Sequence, residues 1–328
     1  MKIFITGATG YIGHSLSIKL AELGNTVHAL VRNPQSAYIP QHPNIHLFTG
    51  DIGDRSSIAR AIKGCEQVFH VAGFTKLWAR DKKLFYEINV NGTKNVLDEA
   101  YENGVKKLVY TSSCAVFGPS YKDPLCEKDP RIISFGNDYD LSKYICECLV
   151  KEYAHRGLFA IIVNPSKVYG PGIITHSNPI TQIIMRCLKK QFVFLPDYKD
   201  VLANYAFIDD VVSGHLSAMQ RGTSGERYIL GGENFSYNAV FSILKEEIED
   251  AKLVKISSAL MKGIGWIELI KNKLTGIEPA FTPSIIGRFT KNAAFSSKKA
   301  INQLDYCITP FRVGIHHTIT NLKKINHV

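Results

Sequence analysis

Apolar positions along the first 165 residues come in two spacings: short continuous runs, and longer stretches where they recur every three or four residues. Residues 2–6 form the first short run and predict a strand. Residues 11–23 have helical spacing, with Ile12, Leu16, Leu20 and Leu23 on one face, and Gly24-Asn25 closes that helix. Residues 27–31 and 45–48 predict two more strands, and 54–62 a helix with Asp54 as its N-cap. Then follow a strand at 68–71, one long helix at about 82–103, a strand at 107–111, a long Gly- and Pro-containing loop at 114–136, a helix at 139–155 and a sixth strand at 159–163. Strands that are apolar throughout, alternating with helices, predict an α/β protein built on a doubly wound parallel sheet.

Beyond Pro165 the regularity weakens, and a smaller C-terminal α/β lobe for substrate is expected over 166–328. The chain is expected to return to the sheet around 205–231, where Ile208-Asp209-Asp210 opens a helix and Tyr228-Ile229-Leu230 reads as a strand. Residues 1–165 would then form the nucleotide-binding domain, with 205–231 returning to it. The last helix is predicted at 309–324. Residues 257–274, apolar and basic, with Leu260, Ile264, Trp266, Ile267 and Leu269, predict a helix of the second lobe that lines or covers the pocket; a lid or a membrane-surface helix are the alternatives.

Composition narrows this picture. A chain of 328 residues with 45% hydrophobic and 21% charged residues has the size and balance for one large α/β unit or two closely joined lobes. No apolar run approaches the roughly 20 residues that span a bilayer, so no integral membrane segment is expected. Met1-Lys2-Ile3-Phe4-Ile5 leads straight into the first strand, leaving no room for a signal peptide, and the cytoplasm is the expected compartment. The seven cysteines lack metal or redox spacing, the nearest pair being Cys146-x-Cys148, so reduced thiols and no metal site are expected. The net charge of +10 comes from scattered lysines. It suits a solvated surface with some attraction for a phosphate-bearing cofactor or acidic substrate, and no nucleic-acid partner is expected.

Thr6-Gly7-Ala8-Thr9-Gly10-Tyr11-Ile12-Gly13 lies between the first strand and first helix. Glycines there allow a tight turn and close approach of a pyrophosphate, and the helix N-terminus offers free N–H groups and a positive dipole end. Gly7, Gly10, Tyr11, Ile12 and Gly13 are therefore candidate cofactor residues. At the end of the second strand the sequence reads Val31-Arg32-Asn33, without the carboxylate that would take a ribose hydroxyl. Arg32 suits a 2′-phosphate, which favours NADP(H) over NAD(H). Tyr139 and Lys143 stand one helical turn apart, and of the 15 tyrosines only Tyr139 has a lysine four places on. A nearby ammonium favours the phenolate and tunes the phenol for proton transfer. The strand ending at Thr111-Ser112-Ser113 places hydroxyls at the carboxyl edge of the sheet, where one could steady a substrate oxygen.

Taken together, the chain resembles the extended short-chain dehydrogenase/reductases, the NAD-dependent epimerase/dehydratase family. The landmarks are Thr6 to Gly13, Gly50-Asp51-Ile52, His70-Val71-Ala72-Gly73, Asn89 to Thr93, Thr111-Ser112-Ser113 with Val116-Phe117-Gly118, Tyr139 with Lys143, Asn164-Pro165 with Val168-Tyr169-Gly170-Pro171, Phe207 to Val211 and Phe295 to Ala300. The resemblance implies a Rossmann fold and a homodimer through the helices at about 82–103 and 138–156. It implies that Asp51 and Ile52 border the adenine, that Ala72, Gly73, Thr111 and Pro165 line the cofactor site, and that Asn89 holds the backbone near the nicotinamide ribose. Lys143 would bind that ribose and lower the pKa of Tyr139, the acid/base, and Ser113 would be the catalytic hydroxyl. Within the family the look is toward dihydroflavonol-4-reductase-like and 3β-hydroxysteroid-dehydrogenase-like reductases. Sugar-nucleotide epimerases carry an Asn where this chain has Lys167 and an Arg where it has Ala203, and sugar dehydratases an acid where it has Cys114. An NADP(H)-dependent reductase of a ketone or aldehyde is thus expected. A sugar-nucleotide epimerase is the alternative, and a non-catalytic dinucleotide sensor the third reading.

Overall fold

The computed structural model describes residues 1–175, 177–197, 201–279 and 282–326. The strands are β1 (Lys2–Thr6), β2 (Thr26–Val31), β3 (Ile45–Thr49), β4 (Gln67–His70), β5 (Lys107–Thr111), β6 (Ala160–Pro165), β7 (Lys167–Tyr169), β8 (Val193–Pro196), β9 (Leu202–Phe207), β10 (Arg227–Leu230), β11 (Glu233–Ser236) and β12 (Leu253–Ile256). The helices are α1 (Tyr11–Glu22), α2 (Arg55–Ile62), α3 (Gly92–Glu102), α4 (Asp138–His155), α5 (Pro179–Leu188), α6 (Ile208–Arg221), α7 (Tyr237–Glu247), α8 (Ser258–Thr275), α9 (Pro283–Phe289), α10 (Lys298–Leu304) and α11 (Phe311–Asn326).

Seven strands form one sheet in the order β10-β6-β5-β4-β1-β2-β3, every pair parallel. Both faces are covered, which is why β6 is buried at every position. Side-chain alternation divides β1 between two cores. Ile3 and Ile5 pack with Leu16, Leu20, Val211 and Leu304 beneath α1, α6 and α10. Phe4 packs with Ile58, Val96, Cys146 and Tyr153 beneath α2, α3 and α4. Strand order reverses between β1 and β4, and the glycine turn sits in that crevice.

The chain returns to the sheet with α6, which packs beneath it, and β10. β10 adds to the edge beside β6, whereas β9 joins a second sheet, β11-β9-β7. A third apolar cluster, including Ile184, Tyr205, Leu244 and Phe311, fills the space between that small sheet and α5, α7 and α11. Leu23, expected on one face with Leu16 and Leu20, is exposed at the C-cap of α1 while those two are buried. The Asp54 cap forms as expected, its side chain accepting from the Ser56 amide at 3.0 Å.

The single helix expected at 82–103 is also corrected. Residues Phe85–Asn91 form π-helical turns that run into α3. The wider turn brings Asn89 inward, where its side chain bonds Phe74 and Ser142. A π segment inserted in a helix commonly marks such a functional constraint.

Candidate active site

The fold itself requires glycine at two positions of the turn after β1. Gly7 has φ of 77°, and a Cβ there would lie 2.6 Å from the Ala72 nitrogen. A Cβ on Gly13 would lie 2.1 Å from the Gly7 carbonyl oxygen, so α1 can approach the turn only without one. Gly10 differs: a Cβ there would meet only the Gly7 oxygen, at 3.2 Å, and otherwise open space. No side chain caps α1, and its first turn holds no acid. An open cradle over an uncapped helix N-terminus fits a pyrophosphate. The Tyr11 side chain is turned away, facing Asn178 and Thr181 of the second lobe, and burial pushes its phenol up. Only its backbone is left for the cradle. Gly13→Ala is expected to push α1 off the turn at a cost of about 1–3 kcal/mol, read by urea denaturation.

The end of β4 is fixed to the turn by a buried relay. The Ala72 amide donates to the Thr6 hydroxyl at 3.2 Å, the Thr6 hydroxyl meets His70 Nδ1 at 2.7 Å, and His70 Nε2 meets the Thr93 hydroxyl at 2.9 Å. Burial drives the His70 pKa down to about 3, with the Lys143 charge adding to it, so the ring is neutral in the fold, and acidification below about 6.5, which charges the same ring in the unfolded chain, works against the fold.

Three of the expected residues converge beyond this relay. A Cβ on Gly73 would stand 3.3 Å from Asn89 Oδ1 and 3.5 Å from Lys143 Nζ. Lys143 donates to the Thr111 carbonyl at 2.7 Å and to the Tyr110 hydroxyl at 3.0 Å. Burial lowers its pKa to about 8. Tyr139, on the preceding turn of α4, is buried, and its phenol lies beside the Ser113 hydroxyl. Burial raises the Tyr139 pKa; the Ser113 hydroxyl and then the positive charge of Arg288 oppose that rise. Asp140, paired with Arg288 of α9 at 2.6 Å, adds to the rise and offsets that charge, while Lys143 is engaged with the end of β5.

Ser112 has a different partner. Its hydroxyl donates to buried Glu147 at 2.6 Å, and Glu147 also takes Asn164 Nδ2 at 2.6 Å and Arg227 Nη1 at 3.4 Å. Asn164 in turn donates to the Ser113 carbonyl at 3.1 Å, so this hub sets the backbone beneath the Ser113 hydroxyl.

The adenine side is looser. Ile52 is buried against Gly92, and Pro165 ends β6 beside Leu230. Arg32 is exposed at the end of β2, and Asp51, reaching over from the end of β3, comes within 4.0 Å of its Nε. A carboxylate thus does stand beside Arg32. It comes from the neighbouring strand, where reading β2 alone could not find it.

Sequence reasoning noted Lys167 only as a departure and missed Arg288 altogether. Lys167 donates to the Tyr237 hydroxyl at 2.7 Å and lies 4.7 Å from that ring's centroid and 5.3 Å from Phe289's. Burial, then the Arg288 charge, lowers its pKa to about 7. Arg288 donates to Asp140 at 2.6 Å, next to Tyr139. The sequence around Arg288 carried no signal for that contact, 148 residues away in the chain. His176 and residues 198–200, part of the loop at 166–205 expected to shape the substrate pocket, lie outside the described residues.

Fold and site define a class: a nicotinamide-dinucleotide-dependent enzyme of the extended short-chain dehydrogenase/reductase type. A family model described as "NAD dependent epimerase/dehydratase family" matches residues 3–231, and the chain belongs to that family. It is 37% identical over 254 residues to a Synechocystis protein assigned as a dihydroflavonol 4-reductase, covering 74% of this chain and 71% of the other. It is 31% identical over 291 residues to sterol demethylase protein B of Methylococcus capsulatus, covering 88% and 86%. The crystal structure of gox2253 superposes with a TM-score of 0.81 at 32% identity, over 99% of both chains.

Proposed function

We propose that the protein is an NADP(H)-dependent reductase of a ketone or aldehyde, with Tyr139 as the acid, Ser113 as the second hydrogen-bonding hydroxyl and Lys143 as the ammonium beneath the cofactor ribose. The observation that carries this is the buried Tyr139 phenol beside the Ser113 hydroxyl at the carboxyl edge of the sheet, across the crevice from the glycine turn. A reduced nicotinamide, when bound, supplies the hydride. Tyr139, kept protonated at neutral pH by burial, gives its proton to the carbonyl oxygen. Ser113 donates to the same oxygen as charge develops, and the Arg288 charge favours the phenolate left behind.

Gly7, Gly10 and Gly13, with the backbone of Tyr11 and Ile12, would hold the pyrophosphate; Asp51 and Ile52 would border the adenine; Ala72, Gly73, Asn89, Thr111 and Pro165 would line the path to the nicotinamide. The NADP(H) preference rests on Arg32. Its contact with Asp51 is long and solvent-exposed, a kind of pair worth little, so the guanidinium is available to a 2′-phosphate. The epimerase reading is disfavoured by Lys167 in its aromatic surround and by Ala203, fully buried against the 292–294 segment, with no room for an arginine.

The test is turnover of a panel of carbonyl compounds with NADPH, in which net cofactor oxidation is expected; retained cofactor without net oxidation would favour epimerisation. Arg32→Ala is expected to raise the KM for NADPH by about 10- to 100-fold, the worth of one charge-assisted bond set, and to leave that for NADH unchanged. Equal effects on both cofactors would remove Arg32 from the assignment.

A further inference from the structure

We infer that α8 is an interfacial helix that docks the protein on an anionic phospholipid surface. The sequence leads one to expect its apolar residues on the pocket. The structure turns most of them outward: Leu260, Ile264, Trp266, Ile267, Ile270 and Leu274 are all exposed, from 39% for Ile264 to 81% for Leu274. At 100° per residue they occupy an arc of about 160°. The opposite face already has its partners. Met261 is buried, Gly265 lies so close to α9 that a Cβ would stand 3.1 Å from Ile286, and Asn272 bonds the Ile277 carbonyl at 2.7 Å. The helix is therefore anchored from behind, capped by Ser257 at its start and Gly276 at its end, and presents an apolar ridge to solvent.

Charge says what covers that ridge. By helical spacing Lys262 and Lys273 flank one margin of the arc and Lys271 stands within the other, while the only acid of the helix, Glu268, is paired with Lys271 at 3.8 Å. An apolar face bordered by lysines matches acyl chains beneath anionic headgroups, whereas a second copy of this chain, itself +10, would bring lysines against lysines. The adjacent Trp266 and Ile267, each more than half exposed, put an aromatic ring on the ridge, and such rings favour the membrane interface. No helix among the described residues is long and apolar enough to cross a membrane, so α8 lies on the surface without spanning it. The ridge is also one helix from the chemistry: α9, on which α8 rests, carries Arg288 at 2.6 Å from Asp140, the neighbour of Tyr139.

The experiment is co-sedimentation of the full chain with vesicles of phosphatidylcholine alone and of phosphatidylcholine with about a third phosphatidylglycerol. Binding is expected on the second at least tenfold stronger than on the first, weakening as salt rises. Trp266→Ser with Ile267→Ser should abolish it, while leaving the unfolding midpoint and cofactor binding as in the parent. Lys262→Gln, Lys271→Gln and Lys273→Gln together should weaken it about 100-fold, near fivefold for each lysine. Equal binding to both vesicles overturns the anionic assignment. Unchanged binding by the Trp266/Ile267 variant overturns the role of α8. A dimer that the same variant dissociates, with no vesicle binding, assigns the ridge to a second copy and overturns the proposal.

Discussion

Tyr139→Phe is expected to lower kcat for carbonyl reduction by about 10²- to 10⁴-fold, the range a positioned general acid supplies. Removing one oxygen leaves the ring that packs with Phe85, Ala79 and Ala115, so the unfolding midpoint and NADPH binding should stay near those of the parent. The pH profile adds a second constraint. Lys143 is pulled down to about 8, so in the free protein its ammonium is lost above that pH. The Tyr139 proton is retained to higher pH, because burial raises that group. The value of kcat/KM for reduction should therefore be flat near neutrality and fall as pH rises through about 8. Full activity in the phenylalanine variant would remove Tyr139 as the acid and, with it, the proposed reaction.

Glu147→Ala should cost about 3–5 kcal/mol of stability, because it leaves Arg227 without its charge partner inside the fold. The Ser112 hydroxyl and the Asn164 amide lose their acceptor at the same time. Chemical denaturation reads the loss. Glu147→Gln keeps an acceptor but gives up the charge, and should fall between parent and alanine variant. Since Asn164 also holds the Ser113 carbonyl, the glutamine variant is expected to lose kcat with little change in KM for NADPH. A stability unchanged in Glu147→Ala would mean that the hub has no structural role.

Two residues of that hub stand in sequence motifs, but for other reasons: Asn164 beside Pro165, and Ser112 beside Ser113. Glu147 looks like any helical acid in a sequence where the helix runs Cys146-Glu147-Cys148. Its burial comes from where α4 crosses β6, and Arg227 is 80 residues away. The same holds for Asp51 beside Arg32. Neighbouring strands in a parallel sheet bring together residues whose separation along the chain carries no information about the pair.

What the sequence determined by itself was whatever physics acts over a few residues. The glycine turn from Thr6 to Gly13, the Asp54 cap and the one-turn spacing of Tyr139 and Lys143 follow from backbone sterics, terminal N–H groups and the helical period. The parallel sheet followed too, because strands buried on both faces need no polar alternation. Tertiary structure alone decided the rest. It widened the helix at Phe85–Asn91 so that Asn89 could reach Phe74 and Ser142, brought Arg288 onto Asp140 from 148 residues away, and turned the apolar face of α8 outward. Each depends on which surfaces meet after collapse, and hydrophobic periodicity states that a face is apolar without stating what it will face.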